Sequence, residues 1–218
     1  MYFSKVFSDC SKIPNGFPSG VYRITTTQGN VFDALCDMET AGGPWTVIQN
    51  RINEEEDFYR NWSDYKSGFG DLYGSFWIGN DILHLLTRTP RILRVELKVW
   101  NGVKGYAHYS TFQVANEDQN YTLLVNGLSG NITSDAMDKD DGIAFSTFDR
   151  DNDENPDFNI AEMRQSGWWH KAQNGTKANL NGRLLSDKKE PKKAMTWVRF
   201  PDQNIFYMPL KTTRMLIQ

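Results

Sequence analysis

Between residues 93 and 99 the chain reads Leu-Arg-Val-Glu-Leu-Lys-Val, a strict alternation of apolar and charged side chains. Side chains along an extended strand point to opposite faces in turn. The pattern therefore fits a strand with one buried and one wet face, and no helix. Such a strand needs paired neighbours for its backbone groups, and the sequence offers several. Residues 20–24 and 31–36 flank a turn-like Thr-Gln-Gly-Asn, and residues 45–49 follow Gly42-Gly43-Pro44. Residues 106–114 and 121–125 continue the pattern up to a Gly-rich break at 127–130. Residues 53–90 read as more helical, with Asn80 as the cap of a short helix that runs to Leu86 and stops before Pro90.

After residue 134 regular periodicity fades. Acidic, Asn and Gly residues dominate, and aromatics come in isolated clusters such as Trp168-Trp169. Long irregular stretches inside a compact domain carry function or need an external stabiliser, of which a metal ion is one. The 218 residues suffice for one core. Aromatics make up 13% of the chain, including seven Trp and thirteen Phe, enough to anchor a core poor in aliphatic residues. The 24 basic and 27 acidic residues leave a net charge of -3, which argues against general nucleic-acid binding. No stretch has the length of a membrane span. Met1-Tyr2-Phe3-Ser4-Lys5 runs into polar sequence without a signal-peptide pattern, so a secreted origin implies a domain cut from a longer protein.

The strongest local signal is Asp149-Arg150-Asp151-Asn152-Asp153-Glu154-Asn155-Pro156-Asp157. Alternate acidic residues on a turning backbone bring several oxygens to one point, and calcium takes six to eight oxygen ligands including carbonyls. The first three Asp match the opening of an EF-hand loop. Position six is Glu154 where Gly is required and position twelve is Ile160 where Glu is required, so this is a calcium loop of another type or an ion-free acidic turn. The second acidic run, residues 135–141, lacks that order and reads as a solvated surface loop. The Lys188–Lys193 basic patch reads the same way.

Nothing points to catalysis. The three histidines, His84, His108 and His170, sit in no metal-binding spacing, and no nucleophile elbow, phosphate loop or dinucleotide fingerprint is present. His84 reads as a structural residue, and His170, after the paired tryptophans, as one that faces a pocket. No carboxylate pair is marked out for glycoside hydrolysis. Cys10 and Cys36 allow one disulfide or two buried thiols, and a bridge would be worth about 3–4 kcal/mol by loop entropy. Four sequons, at Asn61, Asn120, Asn131 and Asn174, lean toward a secretory, extracellular origin.

The order of these elements resembles the fibrinogen-like domain of fibrinogen chain ends, ficolins, tachylectins, tenascins and angiopoietins. The likeness runs from Asp9-Cys10 to about Ile217. It is carried by Cys36-Asp37-Met38-Glu39-Thr40, Gly42-Gly43-Pro44-Trp45, Phe76-Trp77-Ile78-Gly79-Asn80, Phe145-Ser146-Thr147-Phe148-Asp149, Gly167-Trp168-Trp169 and Asn179-Leu180-Asn181-Gly182. The resemblance implies one α+β domain over residues 1–218. A small N-terminal β region (about 9–50) would hold a Cys10–Cys36 bridge. A central, mostly antiparallel sheet with helices would follow (51–144), then a loop-rich calcium and ligand region (145–218). It implies Ca²⁺ held by the side chains of Asp151 and Asp153 and the carbonyls of Asn155 and Asp157. The spacing after Asp153 is one residue longer than usual.

The departures from the family are concentrated at its ligand pocket. The second disulfide of the family falls on Ile160 and about Gly175, and both cysteines are gone together. The pocket histidine is replaced by Thr176, and Arg164 stands where Tyr or Asp is frequent. The resemblance implies a lectin-like recognition module that binds acetylated or related glycans through Met163, Arg164, His170, Thr176, Lys177, Trp197 and Tyr207. The alternative is a protein-interaction or receptor-binding module of a secreted or matrix protein in which the acetyl pocket is lost. Both make the chain a binding module and not an enzyme, and homo-oligomerisation of a full-length protein stays open.

Overall fold

The computed structural model describes residues 7–26, 28–172, 175–187 and 189–218. In chain order the strands are β1 (Gly20–Thr25), β2 (Val31–Asp37), β3 (Trp45–Arg51), β4 (Phe69–Gly70), β5 (Phe76–Trp77), β6 (Arg91–Val99), β7 (Lys104–Val114), β8 (Leu123–Gly130), β9 (Ala178–Asn179), β10 (Thr196–Trp197) and β11 (Leu210–Ile217). Three short helices join them: α1 (Trp62–Ser67), α2 (Asn80–Leu86) and α3 (Ile160–Arg164). The main sheet is antiparallel, in the order β1-β2-β3-β11-β6-β7-β8, with β4 and β5 attached beside β3. Strands β9 and β10 form a separate pair.

The alternation at 93–99 does what its period requires. Leu93, Val95, Leu97 and Val99 are buried, and the residues between them are partly open. Val95 faces Met215 of β11 on one side and Ala107 of β7 on the other, so one apolar row crosses three strands. The N-terminal strands are not a separate layer but continue this sheet. Cys10 and Cys36 form the implied disulfide, which pins the chain before β1 onto β2.

Three local expectations are corrected. The Gly-rich stretch 127–130 does not break the sheet. It is the end of β8, paired with β7, where Gly127 and Gly130 supply positive φ angles of 79° and 114°. Asn80 does not cap α2. It is the first helical residue, buried, and its Oδ1 accepts from the Trp77 indole at 3.0 Å, while Gly79 holds the cap position. The third correction concerns β11. The final residues of the loop-rich third form the strand at the centre of the sheet, between β3 and β6.

The irregular third packs through aromatics. Phe145 lies 5.2 Å from Tyr65 of α1, 5.2 Å from Trp169 and 6.3 Å from Trp77 of β5. All four rings are buried. Ring pairs of this kind add about 0.5–1.5 kcal/mol each beyond the area they bury. Among the described residues no helix is long and apolar enough to cross a membrane.

Candidate functional site

The acidic loop is anchored by side chains that satisfy backbone groups. Asp149 accepts from the Trp62 backbone N–H at 2.9 Å and from the Thr147 hydroxyl at 2.7 Å, so it secures the start of α1. Asn152 donates to the Phe145 carbonyl (2.8 Å) and Asn159 to the Thr147 carbonyl (2.9 Å). The Arg150 guanidinium lies 4.0 Å over the Trp62 ring and donates to Asn120 Oδ1 at 2.7 Å. Asp153 accepts from the Asn155 N–H and, through its other oxygen, from the Ile160 N–H, both at 2.7 Å. Asp151 accepts from the Asp153 N–H at 3.2 Å. Partial burial, with the neighbouring Asp151 charge adding to it, pushes the Asp153 carboxyl up despite those two N–H donors.

This donor set fits a hard cation. Two adjacent carboxylates repel each other, and Asp153 is fixed in place by its backbone bonds with lone pairs left over. No cluster of three or more Asp, Glu, His or Cys side chains suited to a metal forms among the described residues, so a closed cage of side chains is not what the loop provides. Calcium tolerates backbone carbonyls and water as its other ligands. Asn155 and Asp157 stand in the loop where such carbonyls would come from, with Asn155 Oδ1 accepting from the Asp157 N–H at 3.2 Å.

The seven residues implied as ligand contacts separate into two groups. Arg164, His170, Thr176 and Trp197 are buried, so a ligand arriving from outside meets none of them without rearrangement. Here they are interior groups, His170 included, where the resemblance implied a pocket lining. Arg164 donates from Nη2 to the Thr176 carbonyl at 3.1 Å, while its Nε and Nη1 lack protein partners. The bond joins α3 to the segment that carries Thr176, the two stretches where the family places its second disulfide. His170 has Nε2 within 3.2 Å of Ser166 and Nδ1 without a partner. Burial first, and the Arg164 charge second, push its pKa down to about 3, so the ring is neutral. Trp197 donates to the Ser134 carbonyl at 2.9 Å. Met163, Lys177 and Tyr207 are partly exposed. Lys177 pairs with Asp138 at 2.7 Å and lines a shallow cleft of about 280 Å³ with Phe206.

The run 135–141 is not a solvated loop. Asp135 accepts from the Tyr109 hydroxyl (2.7 Å), Asp141 accepts from the Val125 N–H (2.8 Å), and Asp140 is fully buried against the Trp168 indole (3.0 Å). Burial holds the Asp140 carboxyl well above the usual carboxylate range. Composition suggested solvation because it does not show which carboxylates satisfy buried donors. His84 is structural as expected, donating from Nδ1 to the Val114 carbonyl at 2.9 Å.

Sequence reasoning missed the aromatic surface beside the acidic loop. Phe148 and Phe158 are 39% and 40% exposed, too open for core residues of their size. Phe148 lies 4.9 Å from Tyr59, and Asn159, next to Phe158, also donates to the Phe148 carbonyl. Of the sequons, Asn61 caps α1 (Oδ1 to the Asp64 N–H, 2.8 Å) and Asn131 accepts from the Tyr106 N–H (2.7 Å). With Asn120, these engage Oδ1 and leave the glycan-bearing nitrogen free among the described residues. Asn174 lies outside the described residues.

Fold and site together define a fibrinogen-like globe. The chain matches the family model for the C-terminal globular domain of fibrinogen beta and gamma chains over residues 6–218, and it belongs to that family. Angiopoietin-related protein 7 of Homo sapiens is 42% identical over 179 residues, covering 80% of this chain and 51% of that protein. Angiopoietin-4 of Bos taurus is 39% identical over 223 residues, covering 98% of this chain and 43% of that protein. The chain therefore spans about half the length of the curated relatives it matches. The solved fibrinogen-like globe domain of human ANGPTL6 superposes with a TM-score of 0.89 at 29% identity, covering 100% of this chain and 98% of that one.

Proposed function

We propose that this chain is the protein-recognition module of a secreted protein, with its binding surface gathered around the acidic loop and without enzymatic activity. The observation that carries the reading is the pairing of two facts. Four of the seven residues implied for the family's small-ligand pocket, Arg164, His170, Thr176 and Trp197, are buried, and exposed Phe148 and Phe158 flank a well-anchored loop. Exposed aromatics on a rigid frame are characteristic of protein interfaces, where a few such side chains carry most of the affinity. Kinship with angiopoietin-related proteins favours this reading over the glycan-binding one.

Calcium belongs to the proposal. Asp151 and Asp153 would hold it with the carbonyls of Asn155 and Asp157. The ion would neutralise the paired carboxylates and hold the loop, with no part in chemistry. Calcium should raise the melting temperature of the wild-type chain and leave the Asp151→Asn/Asp153→Asn double variant unmoved. Equal melting of the wild-type chain in calcium and in chelator removes the ion from the account.

The function is tested with fluorescently labelled chain on intact cells. Binding should be saturable, abolished by prior protease treatment of the cells, and indifferent to N-acetylglucosamine. Competition by the acetylated sugar would return the chain to the lectins.

A further inference from the structure

The three sequons among the described residues differ in how the fold holds them. Asn61 and Asn120 are partly buried, and only Asn131 is exposed. Asn131 follows Gly130, the last residue of β8. A Cβ on Gly130 would lie 2.5 Å from the Tyr106 carbonyl, so glycine is what lets the chain come this close to β7. Asn131 then exchanges two bonds with Tyr106. Its N–H donates to the Tyr106 carbonyl at 3.1 Å, and its Oδ1 accepts from the Tyr106 N–H at 2.7 Å. The side-chain amide is therefore fixed by its oxygen, and Nδ2 has no partner among the described residues.

Asn131 stands on the lip of a cleft of about 600 Å³ over the open face of the main sheet, apart from the acidic loop. The floor is made by neighbouring strands. Thr212 of β11 faces Lys98 of β6, and Lys98 faces Lys104 of β7. At the other end Glu96 is already taken by Arg94 (2.8 Å) and Arg214 (2.7 Å). The Lys98 and Lys104 ammonium groups make no hydrogen bond or ion pair among the described residues. Like charges set directly opposite on a sheet repel, and each ammonium has three donors to place. An uncharged group rich in acceptor oxygens suits this floor, and the sequon on the lip supplies the point from which one is attached.

We infer that Asn131 carries an N-linked glycan whose inner sugars lie in this cleft across Lys98 and Lys104. The inference rests on the reading of the chain as a module of a secreted protein. The donor is an oligosaccharide linked to a lipid pyrophosphate. Asn131 Nδ2 bonds to the first sugar's anomeric carbon, the carbon–oxygen bond to the pyrophosphate breaks, the lipid pyrophosphate leaves with the electron pair, and the amide gives up one proton. The Asn131-Ile132-Thr133 triplet meets the sequence requirement for this transfer.

The test is expression of the whole chain behind a secretory leader in mammalian cells. Enzymatic glycan release in heavy-oxygen water converts each occupied asparagine into a mass-labelled aspartate. Asn131 should carry that label in most secreted chains, and Thr133→Ala, which keeps Asn131 and its bonds to Tyr106, should lose it. A lysine-acylating reagent then reads where the glycan lies. Lys98 and Lys104 should react several-fold more slowly in the glycosylated chain than in Thr133→Ala, with exposed Lys12 unchanged. Release of the glycan from the folded wild-type chain gives the same comparison should the variant fail to fold. An unlabelled Asn131 overturns the site, and equal reactivity of the two lysines overturns the placement. Cell binding by the same material separates this inference from the wider reading. A chain that binds cells with Asn131 bare overturns only the glycan, and a chain glycosylated at Asn131 that never binds cells overturns only the recognition function.

Discussion

Arg164 shows how a single side chain replaces a covalent constraint. Its Nη2–Thr176 carbonyl bond ties α3 to the segment that the family secures with a disulfide. Arg164→Ala should lower stability by about 2–4 kcal/mol through the lost volume and the orphaned carbonyl, with faster amide exchange around residues 175–178. Denaturant unfolding with exchange mass spectrometry measures both. His170 makes stability depend on pH in a fixed direction. Its folded pKa, about 3, lies below the unfolded value of about 6.5. The stability of the neutral folded ring is fully present above the unfolded value and is lost as pH falls from 6.5 toward 3, on the order of 5 kcal/mol in total. Asp140 acts oppositely. Its raised pKa makes it most favourable in acid, and it costs stability as pH climbs through the unfolded carboxylate value of about 3.9 toward its raised folded pKa. Unfolding at pH 6.5 and pH 4 should show a shallower acid loss for His170→Gln than for the wild-type chain. Neither role was legible in the sequence. Arg164 was visible as a departure from the family pattern, but whether it faced ligand or core depends on burial, which no local pattern encodes.

Elements whose signal is periodic could be read directly. The alternation in β6 gave its faces because a period of two has one solution on a sheet. The strand β11, Leu210–Ile217, has the β-branched and apolar residues of a strand, yet it follows a long irregular stretch and its partners β3 and β6 lie far back in the chain. Its central place is a non-local fact. The end of β8 was missed because glycine signals a break, whereas here it supplies the twist and positive φ of a strand end. At this scale the Cys10–Cys36 bridge is the clearest lever, since it fastens the first turn to β2. Replacing both cysteines by alanine should cost about 3–4 kcal/mol of unfolding free energy, measured in urea, with the sheet signal in circular dichroism retained.

The whole molecule sets a regular sheet against an irregular third that has little secondary structure of its own. That third is held by buried aromatics, by asparagine and aspartate side chains bonded to backbone, and by Arg164. The family resemblance made the fold and the disulfide legible. It also transferred a small-ligand pocket of whose seven residues four, Arg164, His170, Thr176 and Trp197, are buried in this chain. On the outside stand the acidic loop with Phe148 and Phe158 beside it, and, apart from them, Phe206 with the partly exposed Met163, Lys177 and Tyr207. The most direct measurement is cell-surface binding by the Phe148→Ala/Phe158→Ala variant. Affinity should fall at least about tenfold with the melting temperature unchanged. Wild-type affinity in that variant would place the recognition surface elsewhere and contradict the account.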